Sequence, residues 1–217
     1  MRHSTLVLLT FALSPASPSL AQQVGDQIVV VSYVADVKAG TKEVDLVKAG
    51  NSFKIEKISA GPWYRITTIK NVQGWVHGND VALPHLAPGI ITQRMRQRPA
   101  DQTEEKDWIY NSFMFSGRAR SWDILSQHRA SVIDYTEAIH IMSSELDSPQ
   151  RTFSRETISL LLSGIYARRA MAWRYLNRID AAIADIEHAY RFNPESEIAR
   201  SNEKLIEEYG EKDFPSY

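Results

Sequence analysis

The feature that most constrains this chain is a stretch of sequence that is written twice at one constant offset. Residues 115–138 align with residues 166–189, and residues of the same kind meet along the whole length. The matched pairs are Phe115/Tyr166, Arg118/Arg169, Ala119/Ala170, Trp122/Trp173, Ala130/Ala181, Asp134/Asp185 and Ala138/Ala189. Self-similarity at a fixed offset is typical of repeat architectures. We therefore expect two copies of one supersecondary unit.

The second copy has the pattern of a helical hairpin. Tyr166, Ala170 and Trp173 are spaced i, i+4 and i+7, so they share one face of a helix. Asn177 tolerates the left-handed conformation that ends a helix, and Asp180 can cap the next one. The next helix then has an inward stripe of small and apolar residues, Ala182, Ile186 and Ala189. Large aromatics facing alanines allow close antiparallel packing.

The segment YARRAMAWRYLNRIDAAIADIEHAYRFNP, which ends at Pro194, resembles a tetratricopeptide repeat. The first copy, FSGRARSWDILSQHRASVIDYTEAI, is similar but looser. The resemblance implies an all-α helical-hairpin domain over residues 104–209, with a partner-binding groove lined by the first helix of each repeat. It also implies protein–protein binding without catalysis.

Three further helix signals complete this half of the chain. Acidic residues from Glu104 onward favour a helix start, and Ser148-Pro149 predicts another, with proline in its allowed first position. A last amphipathic helix is predicted near residues 196–209, with Ile198, Leu205 and Ile206 facing inward. We interpret it as a cap for the stack and residues 210–217 as a flexible tail.

Residues 24–83 have the texture of β-structure. Short runs of β-branched and aromatic residues are separated by turn signals such as Gly61-Pro62 and Gly78-Asn79-Asp80. Five short strands in so few residues predict a small closed barrel. The elements GPWYRI and GWVHGNDV resemble a bacterial Src-homology-3-type domain. That resemblance implies binding of an extended peptide or of cell-wall glycopeptide.

The region between the two units, residues 84–103, contains three prolines and alternating arginines and is predicted to be a linker. Residues 22–100 carry a net positive charge and residues 101–217 a net negative one, which supports a domain boundary. We therefore expect an α+β multidomain chain with a β-barrel followed by a helical repeat domain. Neither half is basic enough to indicate nucleic-acid binding.

The N-terminal residues 1–21 have the pattern of a secretory signal peptide. A short apolar run, TLVLLTFAL, is followed by Ser19-Leu20-Ala21, which has small residues at the positions that a signal peptidase requires. We expect cleavage near Ala21 and a periplasmic or extracellular location. No later segment is apolar for long enough to predict a transmembrane helix.

The sequence indicates no catalytic, metal or cofactor site. It has no cysteine, and its six histidines are scattered singly. It also lacks a zinc-protease motif, a phosphate-binding glycine loop and a nucleophile elbow. Asp134, Glu137 and Glu187 are expected on solvent-facing helix positions.

Two sets of side chains are candidates for ligand binding. In the barrel they are Tyr33, Trp63, Tyr64 and Trp75, for which a place in the core is the alternative. In the helical groove they are Phe113, Arg120, Ile124, Met171, Arg174 and Tyr175. Within that groove we expect Arg120 and Arg174 to meet carboxylates of a partner beside Tyr175, with solvated arginines as the alternative.

These patterns predict an exported, non-enzymatic adaptor whose helical repeats bind another envelope protein or peptide. The first alternative is a wall-targeting protein in which only the barrel binds, with peptidoglycan as its ligand. A hydrolase with an unrecognised site is the second alternative. Two repeats make a short stack, so contact with the barrel or homodimerisation is expected to supply the missing surface.

Overall fold

The structure, a computed structural model, describes residues 22–97, 104–149, 151 and 153–210. The predicted signal peptide, part of the predicted linker and the tail after residue 210 lie outside these ranges. The described part is a mixed α+β fold, with strands in the N-terminal region and helices in the C-terminal region.

The described N-terminal residues form eight strands, against five predicted. They are β1 Gln27–Val30, β2 Val34–Ala39, β3 Lys42–Lys48, β4 Ser52–Lys54, β5 Lys57–Ile58, β6 Trp63–Thr67, β7 Gln73–His77 and β8 Val81–Ala82. The sequence prediction missed the hairpin of β2 and β3. In β3, Asp45 is buried and Leu46 is 48% exposed, so apolar residues do not consistently mark its inward face. Gly40, with φ +63°, provides the left-handed conformation in the turn of this hairpin.

The strands form two antiparallel sheets and not the closed barrel that the sequence predicted. A three-stranded sheet has the order β4-β1-β8, and a five-stranded sheet has the order β3-β2-β7-β6-β5. The apolar run Ile28–Val31 is at most 1% exposed, because the three-stranded sheet is covered on both faces. Ile28 and Val30 pack in the core between the sheets, whereas Val29 and Val31 pack against helices.

Six helices occupy the rest of the described chain. They are α1 Ala87–Arg96, α2 Glu104–Ile124, α3 His128–Asp147, α4 Arg155–Tyr175, α5 Ile179–Phe192 and α6 Glu197–Gly210. Helices α2 and α3 form one antiparallel hairpin, α4 and α5 form the second, and α6 packs on both helices of the second. Helix α1 lies within the stretch that the sequence predicted to be a linker.

The two hairpins share their detailed contacts. Ser126 and Asn177 occupy equivalent turn positions with φ of 58° and 56°. Arg118 donates to both carboxylate oxygens of Asp134 at 2.7 Å, and Arg169 does the same to Asp185 at 2.8 Å. Asp134 is 3% exposed, so the expectation that it faces solvent was wrong. The internal repeat read from the sequence is therefore also a repeat of contacts.

Helix α1 adds one further helix, half of a hairpin, to this repeated pattern of contacts. The Arg118 Nη1 atom donates to Thr92 Oγ1 on α1 at 2.8 Å, and Arg169 Nη1 donates to Thr136 Oγ1 on α3 at 2.9 Å. Both threonine hydroxyls donate to the carbonyl four residues earlier. The arginine–threonine contact between α1 and α2 is therefore equivalent to the contact between α3 and α4.

Two predictions about helix ends and faces were wrong. Ser148 is the C-cap of α3 and does not start a helix; Ser154, whose hydroxyl accepts from Thr157 N at 3.2 Å, caps α4 instead. Ile198 and Leu205 on α6 are 41% and 37% exposed. Ala199 and Ile206 face inward, because a small alanine lets α6 approach the neighbouring helices closely.

The β-sheet region and the helices share a core. Val29, Val31 and Ala82 of the three-stranded sheet pack with Ile91 of α1 and Met114 of α2. Arg94 of α1 donates to the hydroxyl of Ser32 and to the carbonyl of Asn79. The β3–β4 turn, taken as residues 49–52 with the first residue of β4 included, lies directly against α2, where a Cβ at Gly50 would be 2.5 Å from the Gly117 carbonyl oxygen.

Candidate binding groove

A cavity of about 370 Å³ lies between the helices and the β3–β4 turn. Its lining combines α2, α4 and α6 with one residue of α3 and two residues of the β-sheet region. The lining residues are Gly50, Ser52, Arg120, Asp123, Ile124, Tyr135, Arg168, Met171, Tyr175, Ile198 and Asn202. The first helix of each hairpin and the capping helix therefore face one common groove, which we name the helical groove.

Two arginines give the helical groove its charge. Arg120 of α2 and Arg168 of α4 both line it, and neither makes a hydrogen bond or an ion pair with any residue that the structure describes. Burial, and then the like charge of Arg168, lower the pKa of the Arg120 guanidinium to about 10. The carboxylate of Asp123 lines the same groove and acts on the Arg120 pKa in the opposite direction, but neither arginine forms an ion pair with it.

Asp123 organises the polar end of the groove. Its carboxylate accepts a hydrogen bond from the Tyr135 hydroxyl at 3.0 Å and lies 3.3 Å from His128 Nδ1. Burial, followed by the charge of Asp123, raises the pKa of Tyr135 well above its usual range. The His128 ring stacks on Tyr175 with ring centroids 4.5 Å apart. The Asp123 carboxylate therefore contacts His128, and the His128 ring in turn packs on the Tyr175 ring, which forms the aromatic side of the groove.

The other side chains that line the helical groove either are apolar or already form hydrogen bonds within the protein. Ile124, Met171 and Ile198 line the helical groove from three different helices. Asn202 donates from its amide nitrogen to the Ala167 carbonyl at 2.7 Å, which fixes its side chain between α6 and α4. An occupant would meet apolar surface on several sides and two cationic groups at one place.

Four of the six predicted groove residues line the cavity, namely Arg120, Ile124, Met171 and Tyr175. Arg174 does not, because it is 9% exposed and its guanidinium lies 5.1 Å from the centroid of the Tyr175 ring. Phe113 also lies elsewhere. Its ring is 5.8 Å from Tyr33 at the junction with the sheets, and Lys48 Nζ lies 4.3 Å from its centroid.

Sequence reasoning missed Arg168, Asp123, Tyr135, Ile198, Asn202 and the β3–β4 turn. For Arg168 a signal existed, because Arg168, Met171 and Tyr175 are spaced i, i+3 and i+7 on one helical face. For Gly50 and Ser52 no local signal existed, since only the tertiary fold brings a β-turn to α2.

The four candidate residues of the β-sheet region do not converge. Trp63 and Trp75 lie on the outer face of the five-stranded sheet, where Trp63 pairs with His77 and Trp75 pairs with Arg65. Tyr64 is 6% exposed and packs in the core between the sheets. Tyr33 packs against Tyr110 and Phe113 at the helical junction.

No protein-family model matches this chain, and neither does any curated protein sequence. Among the helices that the structure describes, none combines the length and the apolar character that crossing a bilayer requires.

Proposed function

We propose that this chain is an exported, non-enzymatic adaptor that holds an acidic segment of a partner protein in the helical groove. The observation behind the proposal is the pair Arg120 and Arg168, two guanidinium groups that line one cavity with a single carboxylate, Asp123, and form no ion pair among the described residues. A guanidinium group binds a carboxylate through two parallel hydrogen bonds, so the pair suits an acidic ligand group.

The surroundings of the two arginines favour a peptide over a free ion. Apolar side chains of Ile124, Met171 and Ile198 lie in the same cavity and offer contact to aliphatic neighbours of an acidic residue. The aromatic ring of Tyr175, 58% exposed at the edge, offers a further flat surface. A segment with adjacent acidic and aliphatic residues matches both features.

We further propose that the helices are tetratricopeptide-like and that the β-sheet region is of the bacterial Src-homology-3 type. Support for the first comes from the repeated hairpins α2/α3 and α4/α5 with a groove on their first helices. Support for the second comes from the short antiparallel strands and the Gly74-Trp75-Val76 element in β7. The predicted signal peptide supports an envelope location.

The experiment is a peptide-binding measurement by fluorescence polarisation. The probes are labelled decapeptides with adjacent glutamates beside leucines and matched decapeptides with glutamines. We expect the mature chain to bind the acidic peptides at least ten-fold more tightly. The variant Arg120→Gln/Arg168→Gln should abolish that preference, whereas Arg129→Gln/Arg200→Gln, at two exposed positions, should retain it. If both double variants show the same preference for the acidic peptides over the glutamine peptides, the proposal is contradicted.

A second function, wall binding by the β-sheet region alone, is favoured by the outer face of the five-stranded sheet. Trp63 and Trp75 are partly exposed there, beside His77 and Arg65. Aromatic rings with polar neighbours suit an extended glycopeptide. If this function is correct, Trp63→Ala/Trp75→Ala should stop the chain from sedimenting with purified sacculi, and Arg120→Gln/Arg168→Gln should not.

A further inference from the structure

The turn between β3 and β4 reaches into the helical groove from the β-sheet region. Gly50 and Ser52 line the cavity together with Arg120 and Arg168. The turn therefore lies beside the two arginines although it belongs to the other part of the molecule.

The Ser52 side chain points toward the helices. Ser52 pairs directly with Val29 across the sheet, so their side chains share one face. Val29 packs in the cluster that contains Met114 of α2, whereas the next residue, Phe53, packs in the core between the sheets. The Ser52 hydroxyl accepts from Gln27 Nε2 at 2.5 Å, which leaves its own hydrogen available to donate.

The turn is also held by hydrogen bonds and by a close contact with α2. Gly50 N donates to the Val30 carbonyl, and Val30 N donates to the Asn51 carbonyl, both at 2.8 Å. Lys48 N donates to Asn51 Oδ1 at 2.7 Å. Gly50 has φ +75°, and a Cβ at this position would lie 2.5 Å from the Gly117 carbonyl oxygen. The turn is thus fixed to the sheet on one side and seated on α2 on the other.

We propose that this turn is one wall of the ligand site and that Ser52 is a specificity-determining residue. The acidic group lies between the two arginines and the turn, and Ser52 Oγ donates a hydrogen bond to a carboxylate oxygen. This inference rests on the proposed function above. The ligand consequently contacts both parts of the molecule, and the helices alone form an incomplete site.

The test compares three variants of the full mature chain with the acidic decapeptide as the probe. Ser52→Glu places a carboxylate on the wall of the cavity, where it competes for the arginines. We expect at least a ten-fold loss of affinity. Ser52→Gln introduces a side chain of nearly the same size as glutamate but without its charge. It should lower the affinity for the acidic decapeptide by less than five-fold. Thr41→Glu adds the same charge at an exposed turn of the β-sheet region and should bind like the parent chain.

Each outcome decides between supporting and overturning the inference. If Ser52→Glu binds as tightly as Ser52→Gln while the parent chain binds the peptide, the turn is not part of the site and the proposed function still holds. If Thr41→Glu loses affinity as strongly as Ser52→Glu, the effect is one of overall charge and the inference is also overturned. If the parent chain binds no acidic peptide, the proposed function fails and this inference fails with it.

Discussion

Arg118 and Arg120 lie two residues apart on α2, yet their side chains have opposite electrostatic surroundings. Arg118 donates two hydrogen bonds to Asp134, and this partner raises the pKa of its guanidinium. Arg120 is partly buried beside the like charge of Arg168, and its pKa is lowered by burial and then by that charge. One arginine is therefore paired directly with a carboxylate, whereas the other lies near Asp123 without forming an ion pair.

This contrast predicts stability effects of opposite sign. Arg118→Gln leaves the carboxylate of Asp134 buried without its partner and should cost about 2–3 kcal/mol of unfolding free energy. Arg120→Gln removes a partly buried charge that forms no ion pair with a described residue, and it should be neutral or stabilising by about 1 kcal/mol. Urea denaturation of both variants at neutral pH measures the difference. A loss for Arg120→Gln as large as that for Arg118→Gln would mean that Arg120 has a structural role.

At the scale of elements, the molecule uses one arrangement of contacts twice. The Arg–Asp pair, the threonine contact and the left-handed turn residue recur in both hairpins. The sequence offset predicted which residues correspond, but not that Asp134 is buried. Helical periodicity assigns a residue to a face, whereas burial depends on a neighbouring helix that only tertiary packing supplies. Helix α1 was missed for a related reason, since its prolines and arginines are also typical of linkers.

The repetition predicts that equivalent substitutions have equal effects. Asp134→Asn and Asp185→Asn each remove the charge that a bidentate arginine requires, so each should lower the unfolding free energy by about 2–3 kcal/mol. Their costs should add in the double variant, because the two pairs have no partner in common. The matched control is Glu187→Gln, whose pair with Arg191 is 3.7 Å long and well exposed, and its effect should be below about 0.5 kcal/mol.

Thermal or urea unfolding of the four variants gives these values. A cost for Asp185→Asn that is several-fold smaller than that for Asp134→Asn would show that the second hairpin does not depend on its pair as the first does.

At the scale of the whole molecule, the shape of the helical groove depends on one point where the β3–β4 turn and α2 approach each other without intervening side chains. Gly50 of the turn and Gly117 of α2 meet at this contact. No periodicity links two glycines so far apart in the sequence, which explains why the sequence predicted two separate units joined by a linker. The same contact places the β3–β4 turn against the groove.

This contact makes the two helix-interior glycines Gly117 and Gly164 a matched pair for a test. A Cβ at Gly117 would lie 2.6 Å from the Ala49 Cβ and 2.7 Å from the Ala49 carbonyl carbon, whereas a Cβ at Gly164 would meet nothing within 4 Å. We expect Gly117→Ala to cost about 1–3 kcal/mol through overpacking and to weaken acidic-peptide binding, because the turn must move. Gly164→Ala should gain about 0.5–1 kcal/mol, since alanine favours the helix.

Urea denaturation and fluorescence polarisation on both variants separate the two effects. If Gly117→Ala is as stable as Gly164→Ala, the turn does not seat on α2, and the argument for a site shared between the sheets and the helices fails. If Gly117→Ala is destabilised but binds normally, the contact joins the two parts of the molecule without shaping the groove. A loss of both stability and affinity in this variant alone is the result expected when one glycine contact performs both roles.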